Sequence, residues 1–316
     1  MIFIFSSPRS GSTWLAKAFD SHPDTLYLHE PDIVDRGSDL LPHWFAGDAG
    51  GFEDRARQYL TRLSGNRSLR TVGTRPFFAK HYRAGAARAM RTGLIYAGKG
   101  LEKAGFTSLS SGMTIPDLAK PDFARRTVIK SVSALGRADA LVSCGEAVSA
   151  VLLLRHPCAY VNSYLTGNRM GVMPPPRRLG RLLETRSARR LNAARAVGTA
   201  DNMVAQLTWE WLLANSEGHA AMIRSGGTLM RYEDLALNPE AELRPLFAKL
   251  GLEWSPATSH FLKSSQGGDG SYYSLARDPA EAISKWKRQM EPAQIETVRR
   301  IACLDPVGQR YFTGQD

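Results

Sequence analysis

The sequence predicts an α/β fold of the P-loop type, three α/β/α layers around a central parallel sheet. Three observations carry this. Short, nearly continuous apolar runs recur along the 316 residues, as buried parallel strands do. Helical patterns lie between them, and that alternation gives a parallel sheet covered on both faces. The first apolar run opens into "SSPRSGSTW", a tight polar turn that leads directly into a helical pattern.

The elements follow in order. "MIFIFSS" (1–7) reads as a buried strand, and Trp14, Leu15, Ala18 and Phe19 recur at helical spacing after it. His22-Pro23-Asp24 ends that helix, and "TLYLHE" (25–30) is the next strand, stopped by Pro31. "RTVIK" (126–130), "AVSAVLLL" (147–154) and "GTLMRYEDL" (227–235) complete five strands, and a helix is expected around "LTWEWLLANSEGHAAMI". "MPPPRR" (173–178) reads as a rigid turn and "SSQGGDGS" (264–271) as a flexible loop. Neither separates self-sufficient halves, so one domain is expected over 1–316, with arginine-rich insertions around 32–123 and 170–202.

Composition is that of an ordinary globular protein, 43% hydrophobic and 22% charged. No apolar run approaches the roughly 18 residues of a spanning helix. Met1 leads straight into "IFIF" with no basic segment or cleavage site, which reads as no signal peptide. Cys144, Cys158 and Cys303 form neither a disulfide framework nor a zinc pattern, and the expected setting is reducing and cytoplasmic. The net charge of +11 is unevenly spread: Glu102 is the only acid between Arg55 and Lys103, and Glu184 the only one between Arg177 and Arg195. Such a field attracts phosphates, sulfates, anionic lipid heads, acidic glycans or nucleic acid, or is simply a solvated face. No nucleic-acid recognition motif accompanies it, so a nucleic-acid partner is not expected.

A strand, a tight loop and a helix N-terminus make an anion site, because the first helical amides are unpaired and the dipole favours negative charge. In the nucleoside-triphosphatase loop a glycine, a terminal lysine and a hydroxyl grip the phosphates and magnesium. Here Ser6 stands in the place of the first glycine, Gly11 is present, Ser12 replaces the lysine and Thr13 keeps the hydroxyl. The cation has moved into the loop as Arg9. Such a loop is poorly equipped to split a triphosphate, yet it can hold a single phosphate.

A second anion contact is readable at "VLLLRHPCAYVNSYL" (151–165). Its strand delivers Arg155 at the C-terminal end, where open α/β sheets bind ligands, and Ser163 follows two helical turns later.

At these residues the chain resembles the sulfotransferase family. "PRSGSTW" (8–14) is similar to the family's loop for the 5′-phosphosulfate of 3′-phosphoadenosine 5′-phosphosulfate (PAPS), and Arg155-His156-Pro157 with Ser163 is similar to its 3′-phosphate contact. The resemblance implies the sulfotransferase fold, PAPS as sulfuryl donor and 3′-phosphoadenosine 5′-phosphate (PAP) as product, without a metal. It implies that Arg9, Ser10, Gly11, Ser12, Thr13, Arg155 and Ser163 bind the nucleotide. Trp14 is a candidate for stacking on adenine or for the core.

Sulfuryl transfer needs cations at the leaving phosphate and a general base opposite them. Glu30, ending the second strand, is the candidate base, and "HPDTLYLHEP" resembles the carbohydrate and protein-tyrosine sulfotransferases there. His29 is the alternative. Adjacent strand residues face opposite ways, so only one of the two is expected to face the sulfuryl group. Lys130, with Arg9, would meet the leaving-group oxygens, a role the resemblance implies. "RYEDL" (231–235) and "ISKWKRQM" (283–290) resemble later family segments, which implies that Tyr232 lies near the nucleotide and that Lys285 reaches its 3′-phosphate side, with the preceding glycine-rich loop as a lid. The expected acceptor is a hydroxyl of a carbohydrate, anionic glycan or glycolipid, or of a small-molecule alcohol or phenol. A basic amphipathic helix within 81–105 would favour a lipid-linked acceptor on an anionic membrane. The competing reading is a P-loop kinase or nucleotide hydrolase.

Overall fold

Five strands form one all-parallel sheet in the computed structural model, in the order β2–β3–β1–β4–β5. They are β1 (Ile2–Ser6), β2 (Thr25–His29), β3 (Arg126–Ser131), β4 (Ser149–Leu154) and β5 (Thr228–Arg231). The structure describes residues 1–45, 49–121, 123–145, 147–173, 176, 178–197, 202–265 and 279–312. The glycine-rich stretch 266–271 and part of "MPPPRR" therefore lie outside the described residues.

α1 (Ser12–Ser21) joins β1 to β2. Between β2 and β3 run α2 (Pro31–Val34), α3 (Glu53–Gly65), α4 (Leu69–Val72), α5 (Gly85–Lys103) and α6 (Thr107–Ser111), and α7 (Ala138–Ser143) precedes β4. After β4 come α8 (Pro157–Arg169), α9 (Leu179–Leu182), α10 (Arg186–Arg190), α11 (Ala193–Val197) and α12 (Met203–Ser225). β5 is followed by α13 (Tyr232–Leu237), α14 (Pro239–Lys249), α15 (Pro256–Ser264), α16 (Pro279–Gln289) and α17 (Pro292–Ala302).

The strands are apolar on both faces, and their side chains sort by parity into two cores. Ile2, Ile4, Val151 and Leu153 pack with Leu15 and Phe19 of α1 and with α14 and α15, and Phe19 stacks on Phe247 with ring centroids 4.6 Å apart. Phe3, Phe5, Leu152 and Leu154 face α8 and α12. This is the three-layer α/β arrangement that the sequence predicts. α12 sits in the middle of its layer and is buried on most of its surface. Asn202 caps its start by accepting the Ala205 amide at 2.8 Å, and Gly226, left-handed at φ 65, ends it.

One boundary differs from the reading of the sequence. The fifth apolar run is a strand only from Thr228 to Arg231, and "YEDL" turns into α13. Glu233 and Asp234 in that first turn favour the helix electrostatically.

The strand order fixes where a ligand fits. β1 lies at the centre, and the chain crosses over it between β3 and β4, so the loops leaving β1 and β4 open on either side of a crevice at their C-terminal ends.

Candidate active site

The β1–α1 loop has left-handed backbone at Arg9 (φ 66) and at Gly11 (φ 82). Left-handed turns of this kind gather successive amides into an anion-binding concavity. A side chain at Gly11 is excluded twice, by its φ and because a Cβ there would lie 2.3 Å from Cε2 of Tyr232. Ser6 donates to Ser12 Oγ at 2.7 Å, which closes the base of the loop. The Ser10 hydroxyl is buried with no hydrogen-bond partner among the described residues. An orphaned hydroxyl costs free energy unless a ligand satisfies it. Beside the α1 N-terminus this donor set fits a phosphate.

The end of β4 converges on the same loop. Arg155 donates from Nη1 to the Arg9 carbonyl at 2.6 Å and from Nη2 to the Ala282 carbonyl at 2.9 Å, and its guanidinium lies 4.8 Å from the Tyr232 ring centroid. Arg9 donates from Nε to Ser163 Oγ at 3.1 Å. The structure thus brings Arg9, Arg155, Ser163, Gly11 and Tyr232 together, with Arg9 bonded to the α8 hydroxyl. Trp14 sits beside this group, donating to Ser265 Oγ at 2.9 Å and packing on Phe261. Lys285 is solvent-exposed on α16, 3.9 Å from Glu281, whereas Trp286 of the same helix stacks on His156 with centroids 4.5 Å apart.

On the other side of β1, His29 and Lys130 are register partners on β2 and β3. Lys130 is buried, and its ammonium bonds Glu30 Oε1. Glu30 adopts a left-handed φ of 46 and hangs its amide on the Lys130 carbonyl at 2.8 Å. Because Glu30 has left the strand, the strand alternation expected between it and His29 does not hold. Glu30 Oε2 and His29 Nε2 lie 4.0 Å apart on one side. Burial pushes the Glu30 carboxyl up, but the Lys130 ammonium, with His29 and Arg70, outweighs it and holds the group below its ordinary value. His29, with Tyr27 OH 2.6 Å from its Nδ1, is held down to about 4 by burial and by Lys130. At neutral pH the pair is therefore an ionised carboxylate beside a neutral imidazole. Next to it Asp32 accepts from Ser131 Oγ at 2.5 Å, and burial lifts it to about 6. Among the described residues no group of three or more His, Cys, Asp or Glu side chains could hold a metal ion.

No family model matches the chain. Along 96% of its length, however, it is 27% identical to carbohydrate sulfotransferase 7 of Mus musculus, covering 72% of that protein. The rat protein of the same name is 31% identical over 103 residues, which is 30% of this chain and 21% of that one. The chain is thus similar to a carbohydrate sulfotransferase along nearly its whole length. Structural alignment with the sulfotransferase domain of the curacin biosynthetic pathway gives 19% identity, 96% coverage of both chains and a TM-score of 0.46. A mouse sulfotransferase, SULT7A1, crystallised with PAP, aligns at 11% identity over 99% of this chain and 88% of that one, with a TM-score of 0.48.

Several residues that shape this site are invisible as motifs. Trp211 donates to the Arg155 carbonyl at 3.1 Å, and Asn215, one turn on, accepts from Ser7 Oγ at 3.2 Å. One face of α12 thereby holds both loops in place. Glu233 accepts the His156 amide at 2.9 Å and so ties α13 to the end of β4. The only signal in the sequence is that these polar groups lie in a stretch apolar enough to be buried.

Proposed function

We propose that the enzyme transfers a sulfuryl group from PAPS to a hydroxyl of a carbohydrate or glycolipid acceptor, with Glu30 as general base. The observation that carries this reading is the meeting of Arg9, Arg155 and Ser163 beside the orphaned Ser10 hydroxyl at the α1 N-terminus. In this reading Ser10, Gly11, Ser12, Thr13 and Arg9 hold the 5′ end of the donor. Arg155 and Ser163 hold its 3′-phosphate, Tyr232 and Trp14 flank the nucleotide, and Lys285 closes on it. PAPS supplies an activated sulfuryl group on a good leaving phosphate.

The protein's part is to receive a proton and to balance charge. Glu30 Oε2 takes the acceptor hydroxyl proton as the acceptor oxygen bonds to sulfur and the bond from sulfur to the phosphate oxygen breaks. Lys130 and Arg9 counter the charge left on that phosphate. The clamp on Glu30 has a use here. An ammonium that turns toward the sulfuryl oxygens no longer depresses the carboxyl, and burial then makes it a stronger base at the moment it is needed.

Similarity to a carbohydrate sulfotransferase supports a sugar acceptor. α5 supports a membrane-proximal one, because Met90, Tyr96 and Leu101 are exposed, as are Phe106 and Leu109 beyond it, among Arg88 and Lys103. Sedimentation with phosphatidylcholine vesicles, with and without phosphatidylserine, tests this contact, and binding to neither removes it. No helix among the described residues is long and apolar enough to cross a membrane. A cytoplasmic setting belongs to the proposal and rests on the sequence pattern of Cys144, Cys158 and Cys303, which makes no disulfide framework.

Calorimetric titration with PAP, ATP and ADP tests the donor assignment. PAP should bind tightly without magnesium, and Arg9→Ala and Arg155→Ala should each weaken it about 10- to 100-fold, the loss of a charge-assisted hydrogen bond. Better binding of magnesium ATP, with Arg155→Ala silent, would overturn the reading in favour of phosphoryl chemistry.

A further inference from the structure

Away from the loop, the N-terminal half of α5, the turn of α4 and the flank of α1 enclose a cavity of about 40 Å³. It has room for about three water-sized atoms. Five cations line it, Lys17, Lys80, Arg83, Arg88 and Arg91, against a single acid, Asp20.

The cations are not equivalent. Lys17 is fully engaged, by Asp20 Oδ2 at 2.6 Å and the carbonyls of Thr74 and Pro76 at 2.6 and 2.9 Å. Lys80 is taken up by Asp20, the His22 carbonyl at 2.9 Å and Thr25 Oγ1 at 3.3 Å. Arg83 pairs with Asp117 at 2.8 Å, and Arg88 is solvated. Arg91 differs from all of these. It is only 9% exposed, its Nε is buried without a hydrogen-bond partner, and no ion pair reaches it among the described residues. Burial and the neighbouring Arg83 together pull it down to about 10, so the site disfavours its charge as it stands. A buried guanidinium with no counter-charge is costly, and an anion removes that cost.

We propose that this cavity is a second anion site, separate from the nucleotide contacts, and that it takes a sulfate or phosphate monoester group carried by the acceptor. The acceptor half of this proposal rests on the sulfotransfer reading. The cavity is joined to the catalytic pair by one strand: the Tyr27 ring lies under Lys17 at 5.1 Å in its wall, and its hydroxyl touches His29 beside Glu30. Two residues of strand span about 7 Å. An acceptor anchored here would therefore offer a hydroxyl of a neighbouring position to Glu30.

The test is thermal unfolding with saturating PAP, which occupies the loop. Low-millimolar sodium sulfate, compared with sodium chloride at matched ionic strength, should raise the wild-type Tm by about 2 °C or more. Glucose 6-sulfate should do the same. Arg91→Met should abolish both gains, keep the shift due to PAP, and unfold no earlier than wild type without anion. Arg91→Lys should retain part of the gain. An equal sulfate gain in Arg91→Met, no gain in wild type, or a Tm loss of several degrees in Arg91→Met without anion overturns the site. A gain with sulfate but none with the sugar ester overturns the acceptor assignment. If PAP gives no shift in wild type, the donor reading fails instead, and the sulfate comparison between wild type and Arg91→Met without PAP still decides the cavity.

Discussion

Two buried carboxylate–lysine clusters stand at opposite ends of β2, and they are built from the same groups to different effect. At one end Asp20 is shared by Lys17 and Lys80. At the other Glu30 is paired with Lys130. In both, burial raises the carboxyl and the ammonium groups more than offset it. The difference lies in saturation. Lys17 has three oxygen partners and Lys80 at least as many, so both spend all three ammonium donors on the protein. Among the described residues the Lys130 ammonium has one hydrogen-bond partner, Glu30, which itself sits on left-handed backbone. A saturated cluster is scaffold. An undersatisfied cluster on strained backbone is what a site for transient charge requires.

Substitutions can break this contrast. Glu30→Gln keeps the shape and removes the proposed base, so sulfuryl transfer should fall by about 10²- to 10⁴-fold, with PAP affinity changed by no more than a few-fold. Product formation from PAPS alongside calorimetry checks both. Asp20→Asn leaves two lysines buried without a counter-charge and should destabilise by about 3–5 kcal/mol, measured by denaturant unfolding, with PAP affinity per folded molecule unchanged. If both substitutions act alike, the contrast between scaffold and site is wrong.

Lys130→Met sharpens it through pH. In the wild type the Glu30 carboxyl is depressed, so its contribution to stability is present above the ordinary carboxyl value and is lost as pH falls through the lower folded one. Without the ammonium, burial is opposed only by the weaker pull of His29 and Arg70, and the sign should reverse. The acid limb of the rate profile should move up by about one pH unit or more, and the variant should lose less stability than wild type on acidification. The smallest effect is expected from His29→Gln. A neutral imidazole that only braces Glu30 is replaceable, and the rate should stay within about three-fold, against the hundred-fold or more expected if His29 were the base.

Much of the architecture could be read because parallel strands buried on both faces leave apolar runs with abrupt ends. The runs at 1–7, 25–30, 126–130 and 147–154 each correspond to a strand within two residues. The run at 227–235 was overextended, since local apolarity does not distinguish a strand from the helix that follows it. Arg9 and Gly11 stand out because a loop at a helix N-terminus has narrow sequence requirements, Arg155 and Ser163 because a strand end feeds a helix, and Tyr232 only through the resemblance; the structure brings the five together. Their wiring was not legible. Pairing of Lys130 with Glu30 joins residues a hundred positions apart, and Trp211, Asn215 and Arg91 owe their importance to burial that no local pattern records.

The adjacency of β1 and β4 has a consequence for selectivity. Because the two strands are hydrogen-bonded neighbours, the roots of the loop and of Arg155 are set one interstrand spacing apart, about 4.8 Å. Under the proposed donor assignment the sheet acts as a gauge, accepting nucleotides by the distance between two phosphates rather than by their total charge. Salt screens a bisphosphate and a triphosphate of similar charge alike. Raising ionic strength should therefore lower the affinities for PAP and ATP together while leaving their ratio nearly constant.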